Sequence, residues 1–236
     1  MIRLDNYLLQ EGKAQSRNKA QEMIKDELVF VNEKCIKKPS FKVESDDIVT
    51  IKEHKAYVSR AAHKLDEFLN ETDIEISDRL ALDIGSSTGG FTQVLLERGV
   101  GCIYCVDVGS NQLHPSLRTD NRVNVFESCD IRDFEYKDGF DIVVSDVSFI
   151  SLLYILDDVD RLALDDIVLL FKPQFEVGRE AKRDKNGVVT DKRAISNAIV
   201  RFEDACRLKN FKLIKKSPSK LAGKNGNIEY CYHFKK

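Results

Sequence analysis

Leu82-Asp83-Ile84-Gly85-Ser86-Ser87-Thr88-Gly89-Gly90-Phe91 decides how the rest of this 236-residue sequence reads. The apolar run Leu80-Ala81-Leu82 enters an acid, then a turn of small residues, then the amphipathic stretch Phe91 to Arg98. Strand, glycine-rich turn and helix is the geometry that brings backbone N–H groups and a helix N-terminus close to a ligand. The turn lacks the Lys-Ser/Thr pair of a phosphate-binding Walker loop. An acid at the strand end suits a ligand with a cationic amino-acid portion better than a pyrophosphate, and S-adenosylmethionine (SAM) is such a ligand. On the loop alone, a dinucleotide site or a purely structural turn stays open.

Outward from this stretch the pattern alternates. Strands are expected at 80–84, 102–107, 123–127, 140–146 and 166–172, and helices at 59–70, 91–98, 149–162 and 191–209. Two last strands, 211–216 and 228–234, flank a Gly-rich turn. Alternation followed by a terminal antiparallel pair predicts an α/β fold: a mostly parallel sheet with an antiparallel C-terminal edge. That is the Rossmann-like architecture of SAM-dependent methyltransferases rather than of dehydrogenases.

Residues 1–53 read as a separate small α+β unit, with 54–58 as a linker and 59–236 as the larger domain. Leu4, Leu8 and Leu9 share one helical face. Ser16 is placed to cap a second helix that turns Ala20, Met23 and Ile24 inward and Arg17, Lys19 and Lys25 outward. Short strand-like runs follow at Leu28–Val31 and Ile48–Ile51, with a turn at Asn32-Glu33.

Composition excludes several classes. No run approaches the ~18 apolar residues of a membrane helix, and the charges in Met1-Ile2-Arg3-Leu4-Asp5 break any signal-peptide core. Six cysteines scattered in apolar contexts indicate a reducing, cytoplasmic setting. Cys102 and Cys105 fall inside an expected strand with no second pair, so they read as buried thiols and no metal site is expected. The net charge of −2 hides a division. Residues 1–64 hold 13 Lys/Arg against 10 Asp/Glu, residues 65–170 hold 7 against 22, and residues 171–236 hold 17 against 7. Basic ends around an acidic middle suit a protein that binds a polyanion, and equally suit ordinary solvated helix faces.

In a parallel sheet, ligands sit beyond the carboxyl ends of the strands. The first strand delivers Asp83, the second Asp107, and the third Cys129 and Asp130. The fourth delivers Asp146 in Ser145-Asp-Val-Ser148, and the fifth Lys172 in Phe171-Lys-Pro-Gln-Phe175. Glu229 in Gly226-Asn-Ile-Glu229 comes from the terminal pair, and the 59–70 helix can bring Lys64 over the same edge. Asp107 stands near the ~20-residue separation expected of an acid that binds ribose hydroxyls.

Two resemblances rest on these residues. Arg3-Leu-Asp5, Ser16-Arg17, Ala20, Val29-x-Val31-Asn32, Lys37-Lys38-Pro39 and Asp47-x-Val49 resemble the S4 RNA-binding domain. Over essentially its whole length the chain resembles the TlyA (haemolysin A) family of FtsJ-type rRNA 2′-O-methyltransferases. The motifs are Tyr57-Val-Ser-Arg-Ala-Ala-His-Lys-Leu65, Leu82 to Phe91, Val106-Asp-Val-Gly109, Ser145-Asp-Val-Ser-Phe149, Lys172-Pro-Gln-Phe-Glu176 and Gly226-Asn-Ile-Glu229.

The second resemblance implies a Lys-Asp-Lys-Glu catalytic tetrad at Lys64, Asp146, Lys172 and Glu229. It implies SAM contacts from Asp83, Gly85, Ser86, Ser87, Gly89, Gly90, Phe91, Asp107, Asp130 and Asp146, and a cytidine of 16S and/or 23S ribosomal RNA, free or in subunits, as the acceptor. RNA contacts are expected from Arg3, Ser16, Arg17, Lys19, Lys25, Lys37, Lys38, Arg60, Arg179, Lys182 and Arg183, largely to phosphate. Ala61-Ala62 and Asp130 depart from the family pattern, which has a Gly-rich pair and more often Asn at those places.

The chemistry is coherent with that reading. A ribose hydroxyl is a poor nucleophile and needs a base or strong orientation. A lysine base near neutrality needs its pKa to fall from ~10.4 by roughly three units, about 4 kcal/mol. The Asn/Asp-Pro-Pro-aromatic loop of base amino-methyltransferases is absent, which favours an oxygen acceptor. Two other functions are weighed: a ribosome-associated RNA-binding protein with a non-catalytic SAM fold, and a membrane-lysing protein, for which no apolar or amphipathic segment of adequate length is present.

Overall fold

The computed structural model describes residues 1–25, 28–51, 57–223 and 225–236. Residues 54–56 of the expected linker, and Lys224 in the basic C-terminal region, lie outside these. The chain divides into two units, Met1–Ala56 and Tyr57–Lys236.

The first unit runs β1 (Ile2–Arg3), α1 (Leu4–Gln10), α2 (Arg17–Lys25), β2 (Val29–Val31), β3 (Lys34–Cys35), β4 (Lys42–Val43) and β5 (Val49–Ile51). β1 pairs with β4, and β3-β2-β5 form a three-stranded antiparallel sheet. Ser16 Oγ accepts from the Lys19 N–H at 3.1 Å, as its capping place requires. Asn32 and Glu33 both take positive φ (49° and 65°), the two-residue turn that matches the twist of a hairpin. Leu4, Leu8, Ala20, Ile24, Val29, Val31 and Val49 form the core. Leu9, expected on that face, is 41% exposed. Leu4 and Leu8, four apart, already define the buried stripe, and the next position turns about 100° away from it.

The second unit runs α3 (Arg60–Leu69), β6 (Leu80–Ile84), α4 (Gly90–Glu97), β7 (Cys102–Asp107), α5 (Pro115–Arg118) and β8 (Val123–Glu127). It continues through β9 (Phe140–Ser145), α6 (Leu156–Leu162), β10 (Ala163–Phe171), α7 (Pro173–Glu176), α8 (Lys192–Leu208), β11 (Lys212–Pro218) and β12 (Tyr230–Lys235). Of the expected 149–162 helix only Leu156–Leu162 is α-helical, after a 3₁₀ turn at Leu152–Tyr154. Ser151 Oγ accepts from the Leu153 N–H and starts that turn, where a hydroxyl competes with continuous helix.

The sheet order is β11-β12-β10-β9-β6-β7-β8. β6, β7, β8, β9 and β10 are mutually parallel, and β12 runs antiparallel between β10 and the edge strand β11. The antiparallel pair therefore closes the C-terminal side of the sheet, as the sequence indicates, with its reversed strand one place in from the edge.

Successive strand residues alternate between two cores. Leu82, Val143, Ile167, Leu169, Phe171 and Tyr232 pack with α6 and α8. Ala81, Ile103, Ile142, Val144, Val168 and Leu170 pack with α3, α4 and α5. Burial on both faces is why these strands read as continuous apolar runs.

Candidate active site

Strand register builds the site. The last pairs are Ile84 with Ser145 between β6 and β9, and Phe171 with Tyr230 between β10 and β12. The next residues outward, Gly85, Asp146, Lys172 and Glu229, therefore stand on one rim of the sheet. Strand order reverses between β6 and β9, the switch point where open α/β sheets bind ligands.

Lys64 reaches the same rim from α3 because that helix lies very close to α4. A Cβ on Gly90 would come within 2.1 Å of Ser59 Oγ and 3.0 Å of the Ala62 nitrogen, so only glycine permits the approach. Ala61-Ala62 thus replaces the expected glycine pair without opening the helix contact, and Ala62 is fully buried.

The four expected catalytic side chains form two ion pairs. Lys64 Nζ donates to Glu229 Oε2 at 2.6 Å. Lys172 Nζ lies 2.6 Å from Asp146 Oδ1, off the direction in which that oxygen would accept a hydrogen bond, and donates to Ser148 Oγ at 2.8 Å. All four residues are largely buried: Lys64 is 9% exposed, Lys172 7% and Glu229 2%. Burial raises the Asp146 carboxyl above its ordinary range, against the opposing pull of Lys172 and Lys64.

Beside these pairs lie two cavities. The larger, about 450 Å³, is lined by Gly85, Ser87, Asp107, Gln112, Cys129, Asp130, Asp146, Ser148 and Phe149 among others. The smaller, about 160 Å³, is lined by Asp83, Gly85, Ser86, Ser87, Gly90, Phe91, Asp146 and Ser148. Gly85, Ser87, Asp146 and Ser148 belong to both.

Asp83 is fully buried, and its Oδ2 accepts from Thr92 Oγ1 at 2.7 Å. Its Oδ1 has no partner among the described residues. Desolvation, with Asp146 and Asp107 nearby, pushes its carboxyl up to about 7 despite Thr92. Asp107 accepts from the backbone N–H groups of Ser87 and Gly109, at 2.8 and 2.7 Å.

Asp130 lines the larger cavity, but its carboxylate is held by the Arg132 side chain and backbone N–H. That contact keeps it down at about 2. Gly89 lines neither cavity: it caps α4 at φ 93°, and a Cβ there would strike Leu117 and Leu113.

The expected RNA-binding side chains divide. Lys25, Lys38, Arg179 and Lys182 are exposed, and so is Lys37. Lys19 pairs with Glu22 on the surface at 2.9 Å. Arg60 is exposed and reaches the Ala222 carbonyl at 3.4 Å, and Arg183 donates to the Gln174 carbonyl at 3.2 Å. Arg3 and Arg17 both donate to the buried Asp5, whose carboxyl they hold well below the usual range. These two arginines organise the α1–α2 unit and keep only part of their surface for phosphate.

Several contacts within the site carried no signal in the sequence. Ser148 needs the coordinates of Lys172 to be noticed, and Thr92 needs the α4 helix folded back on Asp83. Glu127 accepts from the backbone N–H groups of Asn111, Gln112 and Leu113 and from Arg118, and so fixes the loop that supplies Gln112 to the larger cavity. A lone strand-end acid gives no hint of that.

A two-cavity crevice at the sheet's switch point, with two buried lysine–carboxylate pairs on the same rim of the sheet, defines a Rossmann-like methyltransferase, and the FtsJ-like methyltransferase family model matches residues 57–236. The S4 domain model matches residues 2–49. The chain belongs to the TlyA family of FtsJ-like methyltransferases with an N-terminal S4 domain. It is 46% identical to the 23S rRNA (cytidine-2′-O)-methyltransferase TlyA of Campylobacter jejuni, over 93% of this chain and 94% of that one. It is 38% identical to the 16S/23S rRNA (cytidine-2′-O)-methyltransferase TlyA of Mycobacterium tuberculosis, over 97% of this chain and 87% of that one. A solved structure described as a hemolysin from Streptococcus thermophilus superposes with a TM-score of 0.74 at 34% identity, covering 100% of this chain and 88% of that one. Among the described residues no helix is long and apolar enough to cross a membrane. Among them, too, no group of three or more His, Cys, Asp or Glu is placed to hold a metal ion.

Proposed function

We propose that this protein transfers a methyl group from SAM to a ribose 2′-hydroxyl, that of a cytidine in 16S and/or 23S ribosomal RNA. The observation that carries the reading is the pair of buried ion pairs, Lys172–Asp146 and Lys64–Glu229, on one rim of the sheet, where Asp146 also lines both cavities. Buried charges kept in pairs are poor contributors to stability and common in chemistry.

The crevice fits SAM. The partnerless Oδ1 of the buried Asp83 offers an acceptor to a cationic amino group at the small cavity. Asp107, at the larger cavity, retains lone pairs for a ribose diol beyond its two backbone donors. Bound SAM supplies an electrophilic methyl carbon.

Asp146 and Ser148 hold the Lys172 nitrogen at the rim of the sheet, where in its neutral form it carries a lone pair. Lys172 Nζ, held by Asp146 and Ser148, then takes the 2′-hydroxyl proton as the oxygen attacks. Lys64, fixed by Glu229, stabilises the negative charge that develops on that oxygen. The low-dielectric setting of four largely buried groups strengthens each of these interactions.

The S4 unit and the basic 179–193 and 209–224 stretches supply phosphate contacts that position the RNA without reading its sequence. Transfer of tritiated methyl from SAM to ribosomal subunits and to free rRNA tests the proposal. A labelled nucleotide that resists alkaline cleavage on its 3′ side is the expected product. Label on a base nitrogen or carbon would contradict it.

A further inference from the structure

Residues 172–174 touch both halves of the tetrad. Lys172 pairs with Asp146, and two positions on, Gln174 Nε2 donates to Glu229 Oε1 at 2.8 Å while Lys64 holds Oε2 at 2.6 Å. Pro173 between them starts the short α7. That helix is pinned by Glu176, which accepts from Ser151 Oγ at 2.5 Å and from the Leu152 N–H at 2.8 Å. Gln174 is also gripped through its backbone, since its carbonyl accepts from Arg183 Nη2 at 3.2 Å. Gly223 also crowds that carboxylate: a Cβ there would come within 2.4 Å of Glu229 Oε1.

The amide orientation is dictated by chemistry. A carboxylate beside Gln174 needs a donor, so Nε2 faces Glu229 and Oε1 faces away. That Oε1 is buried with no partner among the described residues. A buried acceptor without a donor costs about 1–3 kcal/mol, so the side chain is not placed here for stability.

Resting on the methyl-transfer reading above, we propose that Gln174 is a positioning residue for the tetrad. It fixes Glu229 so that the carboxylate offers one oxygen to Lys64, giving the ammonium a single place over the acceptor hydroxyl. Freed of Gln174, the carboxylate rotates, and Lys64 loses the alignment on which a transition-state contact depends.

The test compares Gln174→Met, which keeps the length and removes the donor, with Gln174→Glu, both in the full chain with wild type and Lys172→Ala alongside. Gln174→Met is expected to lower kcat at least tenfold, while KM for SAM and the affinity for SAM stay within twofold of wild type. Gln174→Glu is expected to be the better variant at low pH and the worse one at high pH. Protonated, the introduced carboxyl can donate to Glu229; ionised, it repels Glu229, in a setting that also holds Lys64, Lys172, Asp146, Glu176 and Arg183. The activity of this variant relative to wild type should therefore fall as the pH rises. A Gln174→Met enzyme with wild-type kcat, or one whose loss follows only a loss of SAM affinity or of folded protein, overturns the proposal. Wild type without transfer to RNA overturns the methyl-transfer reading instead, and the Gln174 role with it.

Discussion

Lys64 and Glu229 stand 165 positions apart in the chain and 2.6 Å apart in the structure, both largely buried. One comes from the helix that precedes the sheet and the other from the turn before its last strand, so the contact exists only when the whole second unit is folded. Truncating either partner leaves an uncompensated buried charge. Lys64→Ala should cost ~3–5 kcal/mol of stability, and Glu229→Ala a similar amount. The double change should cost less than the sum of the two. Urea denaturation of the singles and the double measures this; strict additivity would mean that the pair is not coupled.

Asp83 gives the stability a pH dependence of definite sign. Its carboxyl titrates at about 7 in the folded protein, against ~3.9 in an unfolded chain. Between those values the unfolded state gives up a proton that the folded state keeps, so stability falls as pH rises from about 4 to about 7 and then levels. The difference is on the order of 4 kcal/mol. Asp83→Asn should flatten this slope, raise the melting temperature of the ligand-free protein at pH 8, and weaken SAM binding. Melting curves at pH 5 and pH 8, with calorimetric SAM titration, check all three. An unchanged slope in the variant would contradict the assignment.

Gly90 sets the distance between α3 and α4 and so the placing of Lys64. Gly90→Val forces the helices apart and should cost ~1–3 kcal/mol, the usual range for overpacking. Methyl transfer should fall by more than the loss of folded protein explains. Equal losses would show that the helix spacing serves stability alone.

Binding to RNA should weaken steeply with salt. Removing one phosphate-binding lysine makes the log–log salt slope shallower by ~1. Lys38→Ala should have that effect without altering the site of methylation. Asp5→Ala should act differently, lowering the melting temperature of the protein, since Arg3, Arg17 and Gln21 all converge on that carboxylate. A Lys38→Ala protein with unchanged salt dependence would remove this residue from the RNA surface.

The central strands were legible because burial on both faces writes near-continuous apolar runs, and the runs at 80–84 and 102–107 are strands in the structure with those bounds; the edge strand at 123–127, Val-Asn-Val-Phe-Glu, has the expected bounds too but is only partly buried. The strand-end acids and Lys172 were legible for the same reason, since a charge closing an apolar run has to face the rim. What the sequence could not show is pairing across long separations. Glu229 with Lys64, Ser148 beside Lys172 and Glu127 under the 111–113 loop all depend on register and on loop paths. The engagement of Arg3 and Arg17 by Asp5 was hidden likewise, because a basic residue reads the same whether it awaits a phosphate or already holds a carboxylate. Leu9 lies outside the buried face because, one position after Leu8, it turns about 100° away from the stripe that Leu4 and Leu8 define.

If Lys172 acts on the acceptor hydroxyl, its loss removes methyl transfer while the rest of the site stays in place. Lys172→Ala should be measured beside wild type for SAM affinity by calorimetry and for transfer of labelled methyl to ribosomal subunits and free rRNA. SAM affinity is expected within a few-fold of wild type and transfer reduced at least ~10²-fold, the lower range for loss of a general base. A Lys172→Ala protein that methylates the same nucleotide at a rate near that of wild type would contradict that role for Lys172.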